Sequence, residues 1–279
     1  MSTAQVSTVH GTTARDHDEP STVSRGDEPE PRRVRFRFSK AGKIRFTSHR
    51  DVARMWERAL RRSRLPVALS QGFNPHPLLS FGLALPTGCE SRGEYLDARL
   101  EEARPGDAPL SELPALLTEL LPEGMAVQAV APVGMAEGSL QQEVASCTWE
   151  LEVLGVIGEE LEERIERALA APSLTVQRER KGRQTEDDIR PAILSLALTG
   201  DDTFEQGEHQ MGRFRAELAT HPRSVRPSDL VSAFGTDVVL ARACRTHQWI
   251  ERDGARFEPL SVSGLSTDLV VEHAAGRAS

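Results

Sequence analysis

Between Arg33 and Phe38 arginine and apolar residues strictly alternate: Arg33, Arg35 and Arg37 interleave with Val34, Phe36 and Phe38. A helix would scatter such a set around its axis. A strand, whose side chains point to opposite sides in turn, sorts it into two faces. The pattern predicts a strand with Val34, Phe36 and Phe38 in a core and the arginines toward solvent, so the chain must contain a sheet covered on one side.

The same run opens a basic block. From Arg32 to Arg64 there are thirteen Lys or Arg against Asp51 and Glu57, a local balance of +11 in a chain whose net charge is −8. After a turn near Ala41 and Gly42, Ser48 with Asp51 three residues later reads as a capped helix start. From His49 to Arg64, Val52, Met55, Trp56, Ala59 and Leu60 keep helical spacing, while Arg50, Arg54, Arg58, Arg61 and Arg62 recur every three or four residues on other faces. Concentrated positive charge captures polyanions, which makes nucleic acid the leading partner class. Candidate binding residues here are Arg35, Arg37, Lys43, Arg45, Arg50, Arg54, Arg58, Arg61 and Arg62. Phe46, Phe73 and Phe81 could stack bases, or simply belong to the core.

Further along, the pattern predicts an extended segment at Pro66–Leu69, strands near Leu79–Leu85 and Tyr95–Leu100, a helix over Ser111–Leu121 and a strand at Met125–Val130. The resulting β-α-β-β-α-β order is that of a ferredoxin-like unit, an antiparallel sheet with two helices on one face. The second half repeats this broad order: a strand at Cys147–Val156, a helix at Glu159–Ala170, strands at Thr175–Arg178, Ile189–Leu198 and Gly212–Thr220, a helix from Pro227 stopped at Gly235, and a last strand within Val238–Trp249. The expected fold is α+β, two ferredoxin-like units with antiparallel sheets. The expected organisation is an acidic disordered tail at 1–31, a basic domain at 32–135, a second α+β domain at 145–262 and a flexible tail at 263–279.

Between the helix and the next strand lies SQGFNPHP, Ser70–Pro77. Gly72 permits unusual backbone angles, whereas Pro75 and Pro77 restrict them, so the loop is rigid. It either holds Gln71, Gly72, Phe73, Asn74 and His76 toward a ligand or only connects two strands. His49, Asp51 and His76 are the candidates for acid–base chemistry, since histidine titrates near neutral pH. Neither His-x-Asp nor Asn-x-His is a metal motif, and phosphate-loop and GxGxxG patterns are absent, so neither metal nor nucleotide cofactor is expected. In the second half, Arg178, Arg180, Lys181 and Arg183 could extend a basic groove around a hairpin-like connection at Gly182, although a solvated loop is the simpler reading. Arg190, before Pro191, is suited to positioning the following strand.

The three cysteines, Cys89, Cys147 and Cys244, are far apart and contain no CxxxCxxC triplet. They read as small buried hydrophobes, with neither a disulfide framework nor an iron–sulfur cluster expected on this chain. No run reaches the roughly 18 apolar residues of a membrane span, and no apolar leader opens the chain. The expectation is a cytoplasmic protein with no membrane partner.

The run from Val34 to Leu100 resembles the radical SAM-linked, or radical SAM-associated, family of uncharacterised bacterial proteins. The resemblance rests on Ser48, His49, Asp51, the SQGFNPHP loop, and Gly88, Glu90, Ser91, Gly93, Glu94 and Tyr95, with DIRP at Asp188–Pro191 similar too. It extends over about Val34–Trp249. Such domains occur as separate chains or behind a radical SAM enzyme with a cobalamin-binding region, so the resemblance implies the stand-alone form and a separately encoded radical SAM enzyme as partner. It also makes Arg190 a candidate interface residue. Three functions follow as expectations: an accessory protein that binds tRNA or rRNA or presents a substrate to that enzyme; an RNA-processing or RNA-modifying enzyme using His49, Asp51 and His76; or a module that docks on an acidic protein surface.

Overall fold

The computed structural model describes residues 32–260 apart from 102–107, 135–136, 181, 200–203 and 207–208. The tails expected at 1–31 and 263–279 lie outside the described residues. The first half comprises β1 (Arg32–Lys40), a short 3-10 turn (Gly42–Phe46), α1 (His49–Ser63), β2 (Leu79–Phe81), β3 (Glu90–Leu100), α2 (Leu113–Leu120) and β4 (Met125–Val133). A one-turn helix, α3 (Leu140–Glu143), leads into β5 (Val144–Leu154), α4 (Gly158–Ala170), β6 (Thr175–Arg180), β7 (Arg183–Asp188), β8 (Ile193–Leu198), β9 (Phe204–Gln206), β10 (His209–Ala219), α5 (Pro227–Ser232), β11 (Val239–Arg252) and β12 (Ala255–Phe257).

Ten of these strands form one mixed, mostly antiparallel sheet, ordered β4-β1-β3-β11-β5-β10-β8, with β2 on β3, β12 on β11 and β9 on β10. The strands β6 and β7 pair separately, across Gly182 at φ +75°, where the sequence left open a hairpin-like connection or a solvated loop. The β3–β11 pairing is parallel, with Glu90 opposite Cys244 and Ser91 opposite Arg245. Through it a single sheet runs across both halves of the chain.

Two apolar clusters hold the layers together. In the first half Val34, Phe36 and Phe38 of β1 pack under α1, whose Trp56 is fully buried with its ring centroid 5.5 Å from Phe36 and 5.0 Å from Phe38. Ser48 Oγ accepts the Asp51 N–H at 3.2 Å and so starts this helix where the sequence indicated. After α2 the chain turns at Gly124, with φ +89°, and a Cβ there would stand 2.3 Å from the Ala41 carbonyl oxygen; only glycine fits. In the second half Trp149, Leu151 and Val153 of β5 meet Leu161 and Ile165 of α4 and Phe214 of β10.

Candidate nucleic-acid interface

Arg35 and Arg37 of β1 do not face solvent. Arg35 is buried and donates to both carboxylate oxygens of Asp97, at 2.7 and 2.9 Å. Arg37 is buried against Glu258 at 3.1 Å, and the Tyr95 hydroxyl donates to that same carboxylate at 3.3 Å. Burial pushes the Glu258 carboxyl up, against the pull of Arg37. The orientation expected for Arg35 and Arg37 is therefore corrected. Alternation correctly separated two faces, but the second face is covered by Glu137 and by the segment carrying Glu258 and Pro259, whose backbone oxygen Arg35 also reaches. Those covering residues lie about one hundred or more positions away, so no local pattern could announce them.

On α1 the charge stands outside. Val52, Trp56, Ala59 and Leu60 are buried, while Arg50, Arg54, Arg58, Arg61 and Arg62 are exposed, as is Arg64 at the C-cap. At about 100° per residue, Arg50, Arg54, Arg58 and Arg61 share one arc opposite the buried stripe. On this ridge Arg54 lies 3.4 Å from Asp51. The Ser48 hydroxyl, first, and then Arg54 and Arg50 hold the Asp51 carboxyl below the usual range. Just before the helix, Lys43 is exposed, and Arg45 lies 4.8 Å over the Phe46 ring while contacting Glu90 at 3.2 Å.

The SQGFNPHP segment is a pinned hairpin. Ser70 N–H donates to His76 O at 2.8 Å, His76 N–H donates to Ser70 Oγ at 3.1 Å, and His76 Nδ1 is 2.9 Å from Ser70 Oγ. Leu69 bridges Pro77 below. Gly72 takes φ +136°, a conformation open to glycine and strained for other residues. Gln71, Phe73, Asn74 and His76 are all exposed, Phe73 completely so at 102%. The three phenylalanines thus divide: Phe81 is half-buried against His49, Phe46 is 63% exposed, and Phe73 stands free.

His49 and Asp51 occupy the first turn of α1, and His49 meets Phe81 edge-on at 5.1 Å. It also lines a cavity of about 20 Å³ with Phe38, Lys40 and Glu94, room for roughly one water. His76 instead bonds Ser70, and among the described residues no hydrogen bond or ring contact joins the two histidines. Nor do three metal-ligating side chains come together among those residues.

Sequence reasoning missed a buried polar seam between β3 and β11. Arg245, 2% exposed, grips Glu94 at 2.6 and 3.0 Å and lies 5.5 Å from the Trp149 ring. Arg242 and Arg45 converge on Glu90, which also accepts the Gly42 N–H. Gln248 donates to Gly93 O at 2.7 Å. The signal was present: Glu90, Ser91, Gly93, Glu94 and Tyr95 are polar or small residues inside a strand buried on both faces, and all belong to the pattern quoted above.

A match to the family described as an uncharacterized protein conserved in bacteria, DUF2344, covers residues 33–227. The chain belongs to this family. No curated protein matches it. Solved structures similar to this DUF2344 chain include an H/ACA RNP bound to a substrate RNA containing 2'-deoxyuridine, at 10% identity over 77% of this chain and 47% of that one, with a TM-score of 0.38. Another is a Cbf5-Nop10-Gar1 complex, at 10% identity over 77% of this chain and 48% of that one, with a TM-score of 0.40. The chain spans about half the length of these solved chains, and likeness at this level bears on neither function nor partners.

Within the DUF2344 match, Arg190 is half-buried and donates to the backbone oxygens of Ile193 and Leu169 at 3.1 and 2.8 Å, tying the start of β8 to the end of α4. Arg183 begins β7, and its side chain lies outside what the structure describes, as does Lys181 altogether. Arg178 is engaged by Asp187 at 2.8 Å and Asp229 at 2.6 Å. No helix among the described residues is long and apolar enough to cross a membrane.

Proposed function

We propose that this chain is a non-catalytic RNA-binding accessory protein that delivers its RNA to a separately encoded radical SAM enzyme. The observation that carries the RNA half is the α1 ridge: exposed arginines on one arc, in a block of thirteen basic against two acidic residues, on a chain of net charge −8. Solubility alone does not call for such a local excess, and arginine is the side chain best suited to phosphate. Lys43 and the SQGFNPHP hairpin are exposed as well, and the proposal includes them in the RNA-binding surface. Arg35, Arg37 and Arg190 are engaged internally and take supporting roles. The radical SAM half rests on the sequence resemblance alone.

The finer architecture is part of this reading. In the first half β4, β1, β3 and β2 lie side by side, and in the second β11, β5, β10 and β8 do, every neighbour antiparallel. Each order is that of a split β-α-β pair, which supports two ferredoxin-like units with β6 and β7 inserted in the second.

Reversing Arg54, Arg58 and Arg61 together to Glu tests the ridge. In electrophoretic mobility shifts with tRNA or rRNA fragments over a salt series, the triple variant is expected to lose binding. The wild-type salt slope should include about 2 units from these three phosphate contacts. Full affinity in the variant removes the ridge from the proposal. Copurification of a protein partner that survives nuclease treatment, with no RNA bound, would favour docking on an acidic protein surface instead.

A further inference from the structure

The ridge supplies contacts to phosphate, and phosphate is common to paired and unpaired RNA. What distinguishes the two is access to base faces, which an A-form duplex hides in its stack. The SQGFNPHP hairpin provides a feature suited to that difference.

After its C-cap at Arg64, the chain returns beside α1. Leu65, Val67, Leu79 and Phe81 pack against the same cluster as Trp56 and Leu60, and Phe81 ends the run on His49 at the start of the helix. Val67 bridges Leu100 and Leu79 pairs with Ala98, so this run also follows β3. Residues Leu69 to Pro77 leave it part-way, so the hairpin is rooted in the apolar cluster that also holds the arginine-bearing helix. Its base is locked by the Ser70–His76 bonds and its tip carries Phe73, whose ring is covered by no neighbour among the described residues. A lone exposed apolar residue on a mobile loop calls for no explanation. An entire aromatic ring held out by a rigid hairpin is different, because the ordering cost of presenting it to a ligand has been met in folding. The exposed amides of Gln71 and Asn74 flank it and can donate to and accept from a base edge.

We infer that the ligand of this surface is unpaired RNA, with Phe73 stacking on an exposed base while the α1 arginines hold the adjoining phosphates. This rests on the RNA-binding reading and narrows it to single-stranded segments, loops or ends. Phe46, partly covered by Arg45, is the lesser platform.

The test is fluorescence anisotropy with two labelled probes, a twelve-nucleotide oligouridine and a blunt RNA duplex closed by hairpin loops at neither end, titrated with the full chain. Phe73→Ala is expected to weaken oligouridine binding roughly 5- to 150-fold, the range of one lost base stack, and to leave duplex binding within about twofold. Phe73→Trp is expected to retain oligouridine affinity, since the indole stacks at least as well. The Arg54, Arg58 and Arg61 reversal should abolish both. Oligouridine affinity unchanged in Phe73→Ala, or an equal loss on both probes, overturns the stacking role while leaving the ridge intact. If the wild-type chain binds neither probe, the RNA-binding reading falls as well. Phe73 contributes to no apolar cluster of the fold, so the alanine variant remains folded, which circular dichroism checks.

Discussion

Asp188 performs with one carboxylate what a turn usually needs several groups for. Its Oδ1 accepts the backbone N–H groups of Leu174, at 2.8 Å, and Arg190, at 3.0 Å. These bonds, first that from Leu174, hold its carboxyl below the usual range. Because the folded value is depressed, the stability it contributes is present above the unfolded carboxylate range, about pH 4, and is lost as pH falls through the folded value. Asp188→Asn is expected to be less stable than wild type in urea melts at pH 7, with the gap closing as pH falls below about 4. A gap independent of pH would remove the charge from this account. Asp188–Pro191 could be noticed in sequence as a motif, whereas the hydrogen bonds it makes could not. The acceptors of Arg190, Ile193 O and Leu169 O, are backbone atoms that no side-chain pattern reveals.

At the scale of the element, α1 was the most legible part of the chain. Its apolar stripe, its Ser48 cap and its arginine ridge all follow from contacts within four residues along one helix. The ridge also carries a cost. Arg54, Arg61 and Arg62 sit three or four positions from Arg58, and like charges at that spacing oppose the helix by about 0.2–0.5 kcal/mol each. Arg58→Gln is therefore expected to raise stability by up to about 1.5 kcal/mol at low ionic strength. The gain should disappear at high salt, where exposed charges are screened. Thermal denaturation at the two salt concentrations checks this, and a destabilised variant would mean that Arg58 has a structural partner. A helix that gives up stability to keep arginine at this position fits a surface kept for binding. The hairpin was legible only in part: glycine and proline announced its rigidity, whereas the projection of Phe73 depends on which neighbours pack beside it.

For the whole molecule the decisive contact is the β3–β11 pairing. It joins the two halves through the Arg245–Glu94 and Arg242–Glu90 pairs, most of whose charge is withdrawn from water. Removing Glu94 leaves Arg245 buried without compensation. Glu94→Ala is expected to cost about 3–5 kcal/mol in urea unfolding. Because the sheet is continuous, wild-type transitions followed by tryptophan fluorescence and by far-ultraviolet circular dichroism should coincide. Two separated transitions would show that the halves unfold independently and that the seam couples them weakly.

The sequence by itself determined the local pieces: the sorting of β1 into two faces, the start and stripe of α1, the glycine and proline restraints on the SQGFNPHP turn, and a β-α-β-β-α-β succession in the first half. These depend on backbone periodicity and on groups a few residues apart, so they can be read in order along the chain. Only the tertiary structure decided which charges meet water. Arg35 and Arg54 look equivalent in a basic run, yet Asp97, Glu137 and Pro259 enclose the first and the second stays open. A charge is buried or free according to what arrives from elsewhere in the chain, and here the covering carboxylates arrive from 62 to 221 residues away for Arg35 and Arg37. For that reason the basic block divided into a buried pair of arginines inside the sheet and an exposed ridge outside it.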